Sequence, residues 1–469
     1  VKVIKNYLYN LSYQLLNIIL PIITVPYVTR VFTSEDLGNY GFYNSIVSYF
    51  ILLANLGINI YGTKKIAASK DTNGTFWNIY IIQVATSIFS IILYFSAFGI
   101  VPTMKNTIAY ILIISLFSRM IDISWLFTGK EDFKKITLRN AAVKLVGVVS
   151  IFAFIKNENQ LYLYVFLLVI FEFLGQVVMW LPARKFLSKP QFDIEKIKRN
   201  IKPTTMLFLP QVAVSLYVVL DRTLLGVFGS YSDVGIYDQG QKLVSILLTV
   251  VSSLGAVMLP RVSNLLSEKK EKEAMNMLKF SFLMYNLIIF PMIFGMLAIN
   301  EIFVNFFLGQ NFQDVKYVLY IIVFNCLFIG WTNILGYQVL VVRDKNKEFM
   351  LSTTLPAGVS VLLNIVLIPS FGYKGATVTA VIVEFLVLAI QWYFSRNMID
   401  RKVVFNFNLL KIIISAGIMF AVIEVLKMAT HLTGVFGLAL YVIVGGGVYL
   451  LLILIFKVAN LKEIKELLK

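Results

Sequence analysis

The sequence holds one cysteine and one histidine in 469 residues. Cys326 therefore has no partner for an intrachain disulfide, and no cluster of Cys and His has the spacing of a metal site. His431 stands alone between two apolar runs, with no Cys or Ser signature beside it to mark a nucleophile and its base. Charge is also scarce: 14% of residues are Asp, Glu, Lys or Arg, against about 25% in a soluble domain. That supply cannot cover a water-facing surface. The sequence has no H-E-x-x-H, C-x-x-C or G-x-S-x-G. Gly57 to Lys64 reads G-x-x-x-x-G-T-K, but Thr and Lys are in the wrong order for a phosphate loop and no strand precedes them. These absences argue against covalent chemistry, a resident metal or a cofactor, and the chain is expected not to be an enzyme.

What is abundant is apolar. Hydrophobic residues make up 58% of the chain, and the mean hydropathy is +0.80. A membrane span needs about 20 mostly apolar residues. That ruler places helices near 8–29, 40–61, 77–99, 107–127, 140–156 and 161–182, then 204–228, 235–260, 279–299, 316–342, 349–369, 374–395, 409–428 and 434–456. The first carries polar residues and prolines and no small-residue cleavage site, so it reads as a permanent span rather than a signal peptide. The fold class is all-α and polytopic, with about fourteen transmembrane helices.

The net charge of +17 is a matter of placement rather than of nucleic-acid binding. Alternate loops carry Lys64 and Lys65, then Lys130, Lys134 and Arg139, then the run from Arg184 to Lys202, and so on to Lys457 and Lys469. The intervening loops offer little more than Arg30, Lys105, Lys156, Lys374 and Lys427. By the positive-inside rule both termini are cytoplasmic and the helix count is even.

The chain repeats itself. Val169-Ile170-Phe171-Glu172-Phe173-Leu174, with Trp180 and Arg184, is echoed by Val381-Ile382-Val383-Glu384-Phe385-Leu386, with Trp392 and Arg396. Asp36-Leu37-Gly38-Asn39-Tyr40 is echoed by Asp233-Val234-Gly235-Ile236-Tyr237. Six helices per repeat give both repeats the same orientation, an architecture of transporters whose two lobes rock about a path between them. The division is residues 1–183 (helices one to six), a cytoplasmic linker at 184–203, residues 204–396 (helices seven to twelve), and residues 397–469 with helices thirteen and fourteen and a basic tail.

Ionisable groups near the bilayer centre cost at least about 2.5–3.5 kcal/mol each and normally face protein or water. Arg119 and Asp122 sit at i, i+3 in helix four, placed to pair. Asp221 and Arg222 are adjacent in helix seven and so point apart. Lys144 lies in helix five, Glu172 and Glu384 lie in helices six and twelve, and Asp238 and Lys242 form an i, i+4 pair in helix eight. Asn10, Gln14 and Asn17 form a polar stripe on helix one, as of a cavity wall, and Pro21 and Pro26 are expected to interrupt that helix at a gating position.

With these residues in view, the chain resembles the polysaccharide repeat-unit flippases, the Wzx-type O-antigen and capsule transporters of the multidrug/oligosaccharidyl-lipid/polysaccharide exporter superfamily. The features that carry the resemblance are Pro21 to Tyr40 with its two prolines, Arg30 and D-x-G-x-Y turn; Trp125 to Phe133; Leu220-Asp221-Arg222; and Ile368-Pro369 with Gly372 and Lys374-Gly375-Ala376. The resemblance implies an undecaprenyl-pyrophosphate-linked oligosaccharide as substrate. It would be flipped from the cytoplasmic to the outer leaflet of the bacterial cell membrane by alternating access. Arg30, Arg119, Lys144, Arg222 and Lys242 would then meet the pyrophosphate, since phosphate favours Arg and Lys donors. A proton or sodium gradient would need a carboxylate such as Asp122, Asp221, Glu172 or Glu384. The implied partners are the lipid-linked substrate, membrane lipids and polysaccharide polymerase machinery, with no nucleic acid. Rival readings are a multidrug or toxin antiporter or a peptidoglycan lipid-precursor flippase of the same superfamily, and, from another class, a membrane-embedded polymerase or glycosyltransferase. A drug-cation exporter calls for a net acidic cavity, and a polymerase for a large outer loop; neither is evident here.

Overall fold

A computed structural model describes residues 16, 19–100 and 105–458. Asn10, Gln14, Asn17 and the basic tail beyond Val458 lie outside the described residues. Within them the fold is helical, with no strand. Ten of the described helices are long and apolar enough to cross a membrane. Each span expected from the sequence falls at least partly on helix, and the chain is a multi-pass membrane protein.

Packing divides the chain into two compact units, 1–235 and 236–469. The first holds α1 (Ile19–Val31), α2 (Ser34–Asn55), α3 (Ile58–Ala68), α4 (Thr72–Ile100), α5 (Thr107–Met120), α6 (Ser124–Gly129), α7 (Phe133–Phe154), α8 (Leu161–Ala183) and α9 (Ile194–Phe228). It also holds the first turn of α10 (Tyr231–Ser267). This division follows contacts rather than repeats: α9 opens the second repeat yet packs against α2.

Local chemistry sets the helix ends. Thr33 caps α2 through a capping box with Asp36. Leu56 and Gly57 are both left-handed, with φ of 39° and 74°, and they break α2 from α3. A side chain at Gly57 would also meet the Thr204 carbonyl oxygen at 2.7 Å, so only glycine serves there. Asp193 starts α9 by accepting from the Glu195 and Lys196 backbone N–H groups. Those bonds and the Lys196 ammonium hold its carboxyl below the usual range, so its capping is present at neutral pH and is lost as pH falls through that lowered value.

Two expectations about helix continuity are corrected. Pro21 and Pro26 do not interrupt α1, which runs unbroken from Ile19 to Val31. Pro26 removes only the helical donor to the Ile22 carbonyl, and the other turns of α1 hold; the Thr24 and Thr29 hydroxyls and the Arg30 guanidinium add second donors to the carbonyls of Leu20, Val25 and Pro26. Conversely, the span expected at 107–127 is not one helix. It breaks between α5 and α6, over residues 121–123.

That break is anchored from three sides. Gln83 on α4 donates through Nε2 to the carbonyls of Arg119 (2.9 Å) and Asp122 (2.8 Å). Its Oε1 accepts from Trp125 Nε1 at 2.9 Å. Trp180 Nε1 donates to the Ile121 carbonyl at 3.0 Å. Phe76 stacks on both Tyr80 and Trp125, with ring centroids 5.3 and 5.1 Å apart, and fixes α6 against α4.

The second unit holds the rest of α10, then α11 (Glu271–Phe307), α12 (Val315–Ile322), α13 (Asn325–Thr332) and a π-helical stretch at Asn333–Leu340. Next come α14 (Asn346–Ser395), α15 (Arg401–Val404), α16 (Phe407–Thr430) and α17 (Gly434–Ile455). α14 is two helices meeting at Gly372, whose φ of 52° and ψ of −133° suit glycine. α16 and α17 dock on α11 through Met419, Ile423, Tyr441 and Tyr449, and the Tyr449 hydroxyl donates to the Leu287 carbonyl. The outer wall of α17, with Phe436, Ile443, Leu450 and Leu454, is exposed and apolar, as a lipid-facing helix requires.

The α5–α6 arrangement recurs in this unit. α12 and α13 are likewise separated by a short break, and Trp331 Nε1 donates to Asn286 Oδ1 at 2.8 Å, as Trp125 does to Gln83. Gln83 serves two backbone carbonyls as well as its tryptophan, and each orphaned buried carbonyl costs about 1–3 kcal/mol. Gln83→Leu is therefore expected to lower the thermal unfolding temperature in detergent clearly more than Asn286→Leu. Equal losses would refute the anchoring role.

Candidate functional site: a charged cavity in the first unit

A cavity of about 440 Å³ opens between α1, α7 and α8. One end is polar, with Arg139, Asn140 and Lys144 from α7 and Glu172 and Gln176 from α8. The other is mainly apolar, walled by Leu20, Pro21, Gly147, Ile151 and Leu167. Glu172 is exposed into the cavity and feels the charges of Arg119, Asp122 and Arg139.

A chain of hydrogen bonds ties this polar end to the break in the α5–α6 span. Arg119 pairs with Asp122 at 2.7 Å. The other carboxylate oxygen of Asp122 accepts from the Ser124 backbone N–H (2.9 Å) and hydroxyl (2.5 Å). Arg139 reaches the Ser124 hydroxyl oxygen through Nη2 (3.2 Å) and Gln176 Oε1 through Nη1 (2.7 Å). Asp122 is 5% exposed and Gln176 7%, so the network runs from the protein interior to the cavity wall. Because the helix is interrupted at Asp122, its carboxylate is free to accept the Ser124 N–H at the start of α6 while still holding Arg119. A continuous helix would have bonded that N–H to a carbonyl one turn back.

The structure sorts the residues singled out from the sequence. Lys144, Glu172 and Pro21 line the cavity, and Arg119 and Asp122 join it through the network. Arg30 is exposed at the end of α1, bonded to the Pro26 carbonyl. Asp221 is buried on α9 and Arg222 half-buried beside it. In the second unit Asp238 and Lys242 make their i, i+4 pair at 2.7 Å, and Glu384 is half-buried on α14. Pro26, Arg30, Asp221, Arg222, Asp238, Lys242 and Glu384 are not among the residues that line this cavity. Arg139, Gln176 and Ser124 were missed. Arg139 was placed in a cytoplasmic loop because the helix was started about two turns late, at 140; α7 starts at Phe133. Gln176, like Gln83, is a lone amide in an apolar run, a signal that was there to be read.

The Arg–Asp pair at the break belongs to the first repeat, and an ion pair of the second repeat, Asp238 with Lys242, lies elsewhere, on α10. The break between α12 and α13, which lies further ahead of its tryptophan than the first does, holds Val323 and Phe324, with no Arg–Asp pair among the described residues. The tryptophan–amide bond is common to both repeats, so the frame does not need the charges. What one lobe has and its copy lacks is the better candidate for function.

The chain is thus a multi-pass helical membrane protein with an ionic network beside a cavity in its first unit. The chain matches "Lipid II flippase MurJ, inward closed conformation" with a TM-score of 0.76, covering 97% of this chain and 98% of that one at 14% identity. It matches an inward-facing multidrug resistance MATE family transporter with a TM-score of 0.61, covering 84% and 94% at 13% identity. The family model for polysaccharide biosynthesis proteins matches residues 3–266, and the chain belongs to that family. Among its relatives are a putative O-antigen transporter of Escherichia coli (strain K12), 24% identical over 84% of this chain and 96% of the relative, and the capsular polysaccharide biosynthesis protein CapF of Staphylococcus aureus, 23% identical over 84% and 100%.

Removing one partner of a buried ion pair typically costs about 3–5 kcal/mol, because the other charge is stranded. Asp122→Asn is expected to lower stability towards that range, and Arg119→Met combined with Asp122→Asn to recover part of the loss. Thermal unfolding of the three proteins in one detergent checks this, and a double variant no better than Asp122→Asn would count against the pair.

Proposed function

We propose that the chain is a flippase for lipid-linked oligosaccharides, acting in a bacterial cytoplasmic membrane without a covalent step. The observation that carries this reading is the cavity with a cationic end and an apolar end, set among membrane-spanning helices in a member of the polysaccharide biosynthesis family. A sugar–pyrophosphate headgroup cannot enter hydrocarbon unaided, since burying unpartnered charge costs many kcal/mol. Arg139 and Lys144 supply donors to a phosphate, Asn140 and Gln176 supply amides to sugar hydroxyls, and the wall of Leu20, Ile151 and Leu167 tolerates a lipid chain. The names of the O-antigen transporter and capsule relatives, and the fold likeness to a lipid II flippase, support the same class of cargo.

Transport by alternating access needs a driving force, and an ion gradient acting on the carboxylates of Glu172 and Asp122 is the reading the network favours. Glu172 sits within electrostatic reach of Arg119 and Arg139, and Asp122 pairs with Arg119 directly. Occupancy of a carboxylate by a proton or sodium ion would loosen the hold on the guanidinium groups that meet the phosphate. Polymerase machinery on the outer face would receive the product.

Deletion of the gene in its host is expected to make a lipid-linked glycan accumulate on the cytoplasmic leaflet, with loss of the corresponding surface polysaccharide. Normal surface polysaccharide together with new drug sensitivity would instead favour a drug antiporter, and accumulation of peptidoglycan precursor would favour that cargo. Loss of one charge-assisted hydrogen bond, about 1.5–3 kcal/mol, corresponds to roughly ten- to a hundredfold. Arg139→Ala is expected to reduce export by that much, and full export by this variant would remove the cavity from the pathway.

A further inference from the structure

α7 and α8 each hold a single glycine, Gly147 and Gly175, and the two are used differently. A Cβ on Gly175 would lie 2.5 Å from Val143 Cγ2 and 3.2 Å from Arg139 Cδ, so this glycine lets α8 approach α7 closely. A Cβ on Gly147 would meet one atom only, Phe171 Cδ2, at 3.9 Å. Glycine weakens a helix interior relative to alanine, and packing gives no reason for it at position 147. What Gly147 leaves open is the cavity, which it lines together with Phe171.

Arg139, Asn140, Lys144, Gly147 and Ile151 of α7 line the cavity as one helical face. Arg139 bonds Gln176 and Gly147 stands opposite Phe171, so α8 runs antiparallel beside that face. Gly147 therefore lies between the charged end, with Lys144 and Glu172, and the apolar end, with Ile151 and Leu167. At this level the passage is a slot, with glycine on one side and a phenylalanine ring on the other. Its width is held fixed on the charged side, where Val143 packs on Gly175 and Arg139 is bonded to Gln176 at 2.7 Å. The twelve residues from Arg139 to Ile151 span about 18 Å of helix, close to the roughly 15 Å of hydrocarbon in one leaflet. The charged end lies towards Lys134 and Lys135, on the face that the distribution of lysines and arginines puts inside.

A lipid of the inner leaflet has the same order, a phosphate at the interface and chains that run towards the bilayer centre. We infer that the Gly147–Phe171 slot is the filter of this cavity: it passes the chain of a single-chain, phosphate-headed lipid and turns away lipids with two chains side by side. The phosphate sits on Arg139 and Lys144, and the chain runs past Gly147 to Ile151 and Leu167. The inference rests on the reading of this cavity as the site of lipid-linked cargo, and it adds how that cargo is told apart from the surrounding phospholipids. Phospholipids carry phosphate as well, so Arg139 and Lys144 alone cannot reject them. A slot of fixed width in a cavity of about 440 Å³ rejects a second chain by clash, which is a stronger discrimination than a difference in attraction.

The test uses the full chain in nanodiscs of phosphatidylcholine, with binding of radiolabelled farnesyl diphosphate and of radiolabelled pyrophosphate as the readouts. Farnesyl diphosphate is expected to bind at least about tenfold more tightly than pyrophosphate, because it has a chain to bury. Dioleoyl phosphatidate is expected not to compete with it. Gly147→Leu fills the slot and is expected to cut the affinity for farnesyl diphosphate at least about tenfold while pyrophosphate still binds. Val146→Phe adds bulk on the exposed side of α7 and is expected to change neither. Phe171→Ala widens the slot and is expected to let dioleoyl phosphatidate compete. Undiminished farnesyl diphosphate binding by Gly147→Leu overturns the filter, as does competition by phosphatidate in the unaltered protein. If Gly147→Leu loses pyrophosphate binding too, Phe171→Ala decides, and its continued rejection of phosphatidate overturns the filter. An unaltered protein that binds neither ligand refutes the cargo reading as well, whereas equal affinity for the two refutes the filter alone.

Discussion

A backbone carbonyl inside a bilayer has no water to turn to, and the structure of the first unit depends on how that constraint is met at one place. The span at 107–127 stops being helical over residues 121–123, and the carbonyls of Arg119, Ile121 and Asp122 are met by Gln83 and Trp180. With those bonds in place the break becomes a fixed element rather than a defect. It frees the Asp122 carboxylate to hold Arg119 and Ser124 together, and Ser124 in turn steadies Arg139 at the cavity wall. The aromatic cluster of Phe76, Trp125 and Trp180 excludes lipid and water from the amide bonds that anchor the break. Remove the amide and the ionic network loses its footing, although no charge has been touched.

The second unit shows what the same frame looks like without that load. Trp331 bonds Asn286 at the matching position, and α12 gives way to α13 across a short break. No ion pair forms there among the described residues. The second unit instead carries a π-helical stretch at 333–340, with Gln338 buried and accepting from Ser281. The first unit carries an Arg–Asp pair at its break, while the second has an ion pair, Asp238 with Lys242, away from the break on α10.

How much of this was legible in the sequence follows from the range of each interaction. Spans, loops and repeats depend on local apolar runs and on the sign of flanking charges, so they were readable. The i, i+3 pair of Arg119 with Asp122 and the i, i+4 pair of Asp238 with Lys242 were readable for the same reason, because helical spacing fixes the distance. The bonds from Gln83 on α4 and from Gln176 on α8 were not, since each joins residues more than thirty positions apart whose facing is set by packing. The prolines of α1 misled because a proline removes one donor, and the remaining bonds of the helix carry it from Ile19 to Val31. Arg139 was hidden by a boundary error of about two turns, enough to move a cavity-wall arginine into a loop.

The closeness of Arg119 and Asp122 along the chain also bears on how the protein enters its membrane. Helices leave the ribosome in order, and a lone arginine presented to the bilayer is costly to insert. Here the acid follows the base by three residues, so the pair can close while only the first four or five spans exist, and the segment is offered to lipid nearly neutral. Arg139 must wait for its Gln176 partner until α8 has been made, and it lies near the start of α7 beside Lys134 and Lys135. Until then it can rest at the cytoplasmic interface. The order of residues along the chain thus lets each charge be partnered or wet at every stage of synthesis.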